Sequence, residues 1–315
     1  MSQIVLQTES LSKQYGSLKA VNHLSLEIFE GEVFGFLGPN GAGKTTSINM
    51  ICGLLKPDSG QVLIQGKPIT NGASDVRRRV GVCPQNIVLW ERLTCLEQLI
   101  FIGQMYDLPE KTARARGEQL LKDLDLEEKR SSQARTLSGG MQRRLNLAMA
   151  LVHDPDIVVL DEPEAGLDPQ SRVKVRSYIQ SLAHKKTVIL TTHNMDEAER
   201  VADRIAIIDH GELLVLDTPE ALKQSLGAGD IVEIQLRNHH PALEQAKDAL
   251  KKITSQVTLD PESHVLRVRA LHAVGNLAAI LADLTQAGFE PGEVNIRANT
   301  LEDVFIQLTG RRLRE

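Results

Sequence analysis

The stretch Gly38 Pro39 Asn40 Gly41 Ala42 Gly43 Lys44 Thr45 Thr46 decides how the rest of the chain is read. The apolar run Val33 Phe34 Gly35 Phe36 Leu37 precedes it, and Ser47 Ile48 Asn49 Met50 Ile51 follows. Strand, glycine loop and helix in that order are the context in which G-x-x-x-x-G-K-[ST] cradles phosphate. Glycines at 38, 41 and 43 let the backbone turn tightly enough for successive N–H groups to face phosphate oxygens. They do so at a helix N-terminus, where the dipole already favours negative charge. Lys44 then supplies a mobile cation for the β and γ phosphates, and the Thr45 hydroxyl a magnesium ligand.

A length of 315 residues fits two domains of unequal size, with ample chain for a core. The formal charge of −5 argues against nucleic acid as the main partner, because phosphate-backbone binding shows as clustered basic excess. Cys52, Cys83 and Cys95 lie in apolar surroundings with no C-x-x-C pair, which reads as reduced, buried thiols. No basic region leads into a long apolar one at the N-terminus, so no secretory signal is expected. No apolar run reaches the ~18 residues of a spanning helix, so crossing a membrane would fall to another subunit.

Upstream of the glycine loop, Ile4 to Leu6 and the alternating Leu24 to Ile28 read as strands flanking Tyr15, which reads equally as an aromatic that stacks on adenine or as a core or turn tyrosine. Downstream, Val80 to Cys83 reads as a buried strand ending at Pro84 Gln85, where a glutamine can reach magnesium and attacking water. Residues from about Thr94 to Leu126 read as a helical insertion, with Trp90 just before it expected to pack in the core. Leu137 Ser138 Gly139 Gly140 Met141 Gln142 opens another helix, with Ser138 as N-cap and two glycines making a second anion nest.

Ile157 to Leu160 is an unbroken aliphatic run ending in Asp161 Glu162, the pattern of a strand buried on both faces that delivers charge to its carboxyl edge. Asp161 is the expected magnesium-side carboxylate, and Glu162 the group that polarises water. Asp168 caps the next helix. A second buried strand, Val188 to Thr192, ends at His193, placed to donate to a γ-phosphate; the other histidines read as surface residues. After a hairpin over 205–216, Gly227 Ala228 Gly229 reads as a linker, giving domains 1–225 and 226–315. The second follows the order βαββαβ, a ferredoxin-like plan, then a final helix and the basic tail Arg311 Arg312 Leu313 Arg314.

With these motifs in this order, residues 1–225 resemble the ATP-binding cassette (ABC) ATPases. The resemblance makes Gly38 to Thr46 the P-loop, Gln85 the Q-loop, Leu137 to Gln142 the signature, Ile157 to Glu162 Walker B, Gly166 Leu167 Asp168 the D-loop and His193 the switch histidine. Met141 stands where the signature normally has Gln, and Glu164 where a small hydroxyl residue is more usual. The resemblance implies an α/β P-loop fold with an antiparallel β subdomain and a helical subdomain, and ATP and magnesium as cofactors. It also implies a second ATPase subunit packed head to tail, each ATP lying between Lys44 of one copy and Ser138, Gly139 and Gly140 of the other. The C-terminal stretch Thr300 to Gly310 is similar to drug-exporter ATPases of the daunorubicin-resistance type. That implies separate ABC-2 type permease subunits, docking near Gln85 to Leu99 at the cytoplasmic face of the membrane. The alternative is a non-transport ABC protein acting on nucleic acid or ribosomes; those usually carry a long coiled-coil insertion or tandem cassettes, and neither is legible here.

Overall fold

The computed structural model describes residues 3–69, 74–226, 229–237, 243–254, 256–260 and 263–310. The expected linker at Gly227 Ala228, the His239 His240 pair and the basic tail lie outside them. The chain divides into two compact units, the first running to Pro219 and the second starting at Glu220.

The first unit begins with a long antiparallel hairpin, β1 (Ile4–Tyr15) and β2 (Leu18–Phe29), in place of two short strands. Then come β3 (Val33–Leu37), α1 (Lys44–Ile51), β4 (Ser59–Ile64), β5 (Lys67–Pro68), α2 (Ser74–Arg79) and β6 (Val80–Cys83). The helical insertion is α3 (Cys95–Met105) and α4 (Glu110–Asp123), followed by α5 (Gly139–Leu151). The unit closes with β7 (Ile157–Asp161), α6 (Pro169–Leu182), β8 (Thr187–Thr192), α7 (Met195–Val201) and the hairpin β9 (Arg204–Asp209) and β10 (Glu212–Asp217).

Among the described residues, β3, β6, β7, β8 and β9 pair in parallel, in the order β10-β9-β3-β8-β7-β6, with β10 antiparallel at one edge. Their aliphatic side chains alternate between two cores. Val158, Leu160, Val188 and Leu190 pack with Leu145 and Ala148 of α5 and Val175 and Ile179 of α6. Ile157, Val159, Ile189, Phe34 and Phe36 pack with Ile48 and Ile51 of α1 and with Leu6, Leu24 and Ile28 of the hairpin. Strands buried on both faces need such continuous runs, and each buried aliphatic side chain contributes roughly 1.5–3 kcal/mol. The three cysteines are buried and unpaired, and burial pushes their thiols up, Cys52 to about 12 and Cys83 and Cys95 to about 11.

Helix α8 (Pro219–Ser225) begins on the last residue of the first unit, and the second unit continues with β11 (Asp230–Leu236), α9 (Leu243–Leu250), β12 (Val257–Asp260), β13 (Val265–Ala270), α10 (Ala273–Gln286), β14 (Pro291–Arg297) and α11 (Leu301–Thr309). The sheet order is β12-β13-β11-β14 and every pair is antiparallel, which is the ferredoxin-like arrangement. One face buries Val232, Ile234, Leu266 and Val268 against Ala246 of α9 and Ile280 and Leu284 of α10. The other face is charged: Arg297 donates to Glu233 at 3.0 Å and to both carboxylate oxygens of Asp303, at 2.6 and 2.9 Å.

Two sequence expectations are corrected by packing. Trp90 is 40% exposed and meets the equally exposed Phe101 edge-to-face at 5.1 Å. The interior position beside it belongs to Gln98, fully buried, whose Oε1 accepts from the Trp90 backbone N–H at 3.0 Å. His153 is not a surface residue: it is buried, with its ring stacked on Tyr106 at 3.8 Å. Burial pushes its imidazole down to about 4. The unfolded chain therefore binds more protons than the folded one between pH 6.5 and 4, and stability falls as pH drops through that window, by on the order of 3 kcal/mol. His153→Phe keeps the stack and removes the titration, so its Tm should vary less than the parent's between pH 6.5 and 4.5; parallel profiles would contradict this.

Candidate functional site

Parallel strands end at a common rim, and the loop after β3 occupies its middle. Gly43 has φ 101°, and a Cβ there would stand 2.3 Å from the Ala20 carbonyl oxygen. A Cβ on Gly38 would stand 2.4 Å from the Ile208 carbonyl oxygen, whereas Gly41, at φ 82°, faces open space. The loop is thus wedged between the β1–β2 hairpin and the end of β9, with Ala42 buried beneath it. Lys44 is buried and its ammonium donates to the carbonyls of Gly38 at 2.6 Å and Pro39 at 3.0 Å. Burial lowers its pKa, while the charges of Glu162 and Asp161 work in the opposite direction.

Above the loop lies a cleft of ≈ 330 Å³ lined by Tyr15, Asn40, Gly41, Gly43, Lys44, Thr45, Thr46, Gln85 and Glu162 among others. A larger cavity of ≈ 490 Å³ in the second unit, lined by Arg267, Arg269 and Ile306, has no glycine loop or strand-end carboxylate pair among its described residues. Tyr15 is half exposed, with the Lys13 ammonium 5.8 Å from its ring centroid.

Asp161 ends β7 and its carboxylate accepts a short hydrogen bond from the Thr191 hydroxyl on β8. Glu162 breaks the strand with φ 46°, a left-handed conformation uncommon for a non-glycine residue, so it does not continue the strand's alternation. Its N–H donates to the backbone carbonyl and the hydroxyl of Thr191, both at 3.1 Å. The Glu162 side chain is buried between two partners. Gln85 Nε2 donates to Oε2 at 3.1 Å, and Oε1 lies 2.9 Å from His193 Nδ1. Glu162, Gln85 and His193, which leave three different strands, thereby form one hydrogen-bonded group.

The second glycine nest stands apart. Ser138 caps α5, its hydroxyl accepting from the Met141 N–H at 3.3 Å, and the Met141 side chain packs on the helical core. A Cβ on Gly140 would meet the Ser171 hydroxyl at 2.1 Å, beside Asp168, the N-cap of α6, whereas a Cβ on Gly139 meets nothing within 4 Å. Ser138, Gly139 and Gly140 are not among the described residues lining the cleft. Glu164, the unusual residue after Walker B, is buried and held in a bidentate pair with Arg176 of α6 at 3.0 and 2.5 Å, so its charge is not left unpaired.

Arg143 was not singled out by the sequence, yet it is 2% exposed beneath this site and donates to the carbonyls of Pro84, Gln85, Asp161, Glu162 and Pro163. Its one legible signal is an arginine pair, Arg143 Arg144, at the head of an otherwise largely apolar helix with no acid four residues away.

Comparison with known proteins agrees with this geometry. Residues 21–165 match the ABC transporter family model. The chain is 37% identical over 318 residues to a daunorubicin resistance ATP-binding protein of Streptomyces coeruleorubidus, covering 100% of this chain and 99% of the relative. It is 40% identical to a Nod factor export ATP-binding protein I of Ralstonia nicotianae, covering 99% and 95%. Among solved structures it superposes on CbiO1 of Clostridium perfringens, part of the ABC transporter complex CbiONQ, with a TM-score of 0.65 and 28% identity over 70% of this chain and 90% of that one. The chain therefore belongs to the ATP-binding subunits of ABC transporters. It binds ATP and is an ATPase whose hydrolysis is coupled to transport.

Gly43→Ala combines a left-handed φ with a backbone clash, a strain of about 1–3 kcal/mol, whereas Gly41→Ala meets the φ penalty alone. Gly43→Ala should lower both Tm and ATP affinity more than Gly41→Ala does, read by thermal melting and nucleotide titration. Equal behaviour of the two would contradict the wedged-loop account.

Proposed function

We propose that this chain powers export through separate ABC-2 type permease subunits, working as a homodimer that ATP assembles and hydrolysis releases. Residues 1–225 form the ATP-binding domain and 226–315 an accessory domain. Supporting the export reading are the names of full-length relatives, one a resistance protein and one an export protein. Among the described residues no helix is long and apolar enough to cross a membrane. The chain then sits at the cytoplasmic face of the membrane through its permeases. The exposed apolar residues Ile87, Val88, Trp90 and Phe101, between Gln85 and α3 and on α3, offer the permease a docking surface.

The observation that carries the dimer is the separation of the two nests: one chain presents Lys44 in a cleft and Gly139 in open space away from it. A triphosphate bound by the P-loop of one copy reaches Ser138, Gly139 and Gly140 of the other, and the missing Cβ at Gly139 leaves room for it. Tyr15 stacks on the adenine. The N–H groups of Gly38 to Thr46 and the Lys44 ammonium hold the phosphates, the lysine leaving its two carbonyl partners to do so.

Thr45, Gln85 and Asp161 offer oxygen donors suited to a hard divalent ion. Among the described residues no cluster of three or more His, Cys, Asp or Glu could hold a metal alone, which fits magnesium shared with phosphate oxygens. Bound there, magnesium supplies charge neutralisation on the β and γ phosphates. Glu162 is the general base: its Oε atoms take the proton of the attacking water, with Gln85 and His193 holding the carboxylate in place and His193 donating to the γ-phosphate.

Glu162→Gln should leave ATP affinity near the parent's, lower kcat by at least ~10²-fold and accumulate an ATP-bound dimer by analytical ultracentrifugation. Gly139→Asp should keep the ATP affinity of the monomer and fail to dimerise in the Glu162→Gln background. A dimer that forms regardless of the added carboxylate would sink the shared-site reading.

A further inference from the structure

The guanidinium of Arg143 has five N–H donors, and each finds one backbone carbonyl. Nε donates to Pro163 at 3.1 Å; Nη1 to Pro84 at 2.6 Å and Gln85 at 3.0 Å; Nη2 to Asp161 at 2.7 Å and Glu162 at 2.8 Å. Among the described residues it makes no ion pair within 4.0 Å, and five carbonyl dipoles converge on a charge that is 2% exposed. A buried cation satisfied in this way is expensive to lose and geometrically demanding, because every acceptor must converge on one plane.

The five carbonyls belong to two loops. Pro84 and Gln85 leave the end of β6, and Asp161 to Pro163 leave the end of β7, its parallel neighbour. Arg143 itself stands on α5, whose first turn is capped by Ser138. One side chain therefore ties the backbone of Gln85, the backbone of Glu162 and the helix of the second glycine nest into a single rigid group. The Gln85 and Glu162 side chains meet at 3.1 Å, a distance set by where these two backbones are held.

From this geometry we propose that Arg143 is a positioning residue for ATP hydrolysis, fixing the spacing of the Gln85 and Glu162 loops against helix α5. The inference rests on the reading that Glu162 and Gln85 act on ATP. Arg143 does not itself line the cleft and makes no hydrogen bond to the P-loop lysine, so its removal leaves nucleotide binding to the monomer and misaligns the hydrolytic group. A lysine keeps the charge but concentrates three donors on one nitrogen, and cannot span both loops.

The test uses the full chain, with ATP affinity measured on the monomer and kcat under saturating Mg-ATP. Arg143→Lys should bind ATP with parental stoichiometry and within about threefold of the parental Kd, while kcat falls about 10- to 100-fold, the scale of a small misplacement of reacting groups. Should that variant not fold, Arg143→Gln, which supplies two neutral donors and no buried charge, is read in the same way. A variant that hydrolyses within twofold of the parent overturns the proposal, as does a parallel loss of binding stoichiometry and kcat, which marks a merely structural role. Glu162→Gln is assayed alongside: if it hydrolyses ATP at the parental rate, the reading of Glu162 fails and takes this inference with it. If it is inactive while the Arg143 variants are fully active, only the positioning role is overturned.

Discussion

Everything in the first unit depends on the alignment of parallel strand ends at one rim. Because β6, β7, β8 and β3 pair side by side in parallel, the residues that follow them, Gln85, Glu162, His193 and the glycine loop, emerge on the same edge. None of these groups is close to another in sequence. The sheet converts distant positions into a group with hydrogen bonds of 2.9 and 3.1 Å around one carboxylate. Two apolar cores clamp the sheet from both faces, which is why the strands had to be continuous aliphatic runs.

That dependence explains what could be read from the sequence. The glycine loop, the Asp161 Glu162 strand end, the Ser138 and Asp168 caps and the βαββαβ order are local patterns, each a short run whose own chemistry prescribes its structure. Arg143 could not be read this way. Its acceptors lie 58 and 59 residues before it and 18 to 20 after it, and only tertiary structure brings them to one guanidinium. The placement of Trp90 and His153 is non-local for the same reason. Whether an aromatic is inside depends on its competitors, and Gln98 took the interior place beside one while Tyr106 covered the other. Glu164 departs from the usual residue type without leaving an unpaired charge, because Arg176 lies one helix away.

Among the described residues, the glycine loop around Lys44 lines the cleft, and Ser138, Gly139 and Gly140 do not. Lys44 sits under the cleft floor, and the Gly139 position is open to the outside. Arg143 reaches from helix α5, which the second nest opens, to the two loops after β6 and β7 that carry Gln85 and Glu162. The second unit has its own core and its own ion-pair network around Glu233, Arg297 and Asp303.

The central claim is that the rim formed by these strand ends is where ATP is held and cut. A crystal structure of the full chain with magnesium and a non-hydrolysable ATP analogue tests it most directly. The Lys44 ammonium should then have moved from the Gly38 and Pro39 carbonyls onto phosphate oxygens, with the Glu162 carboxylate facing the γ-phosphate beside Gln85 and His193. An analogue bound elsewhere, or at the loop with Glu162 turned away from its terminal phosphate, would contradict it.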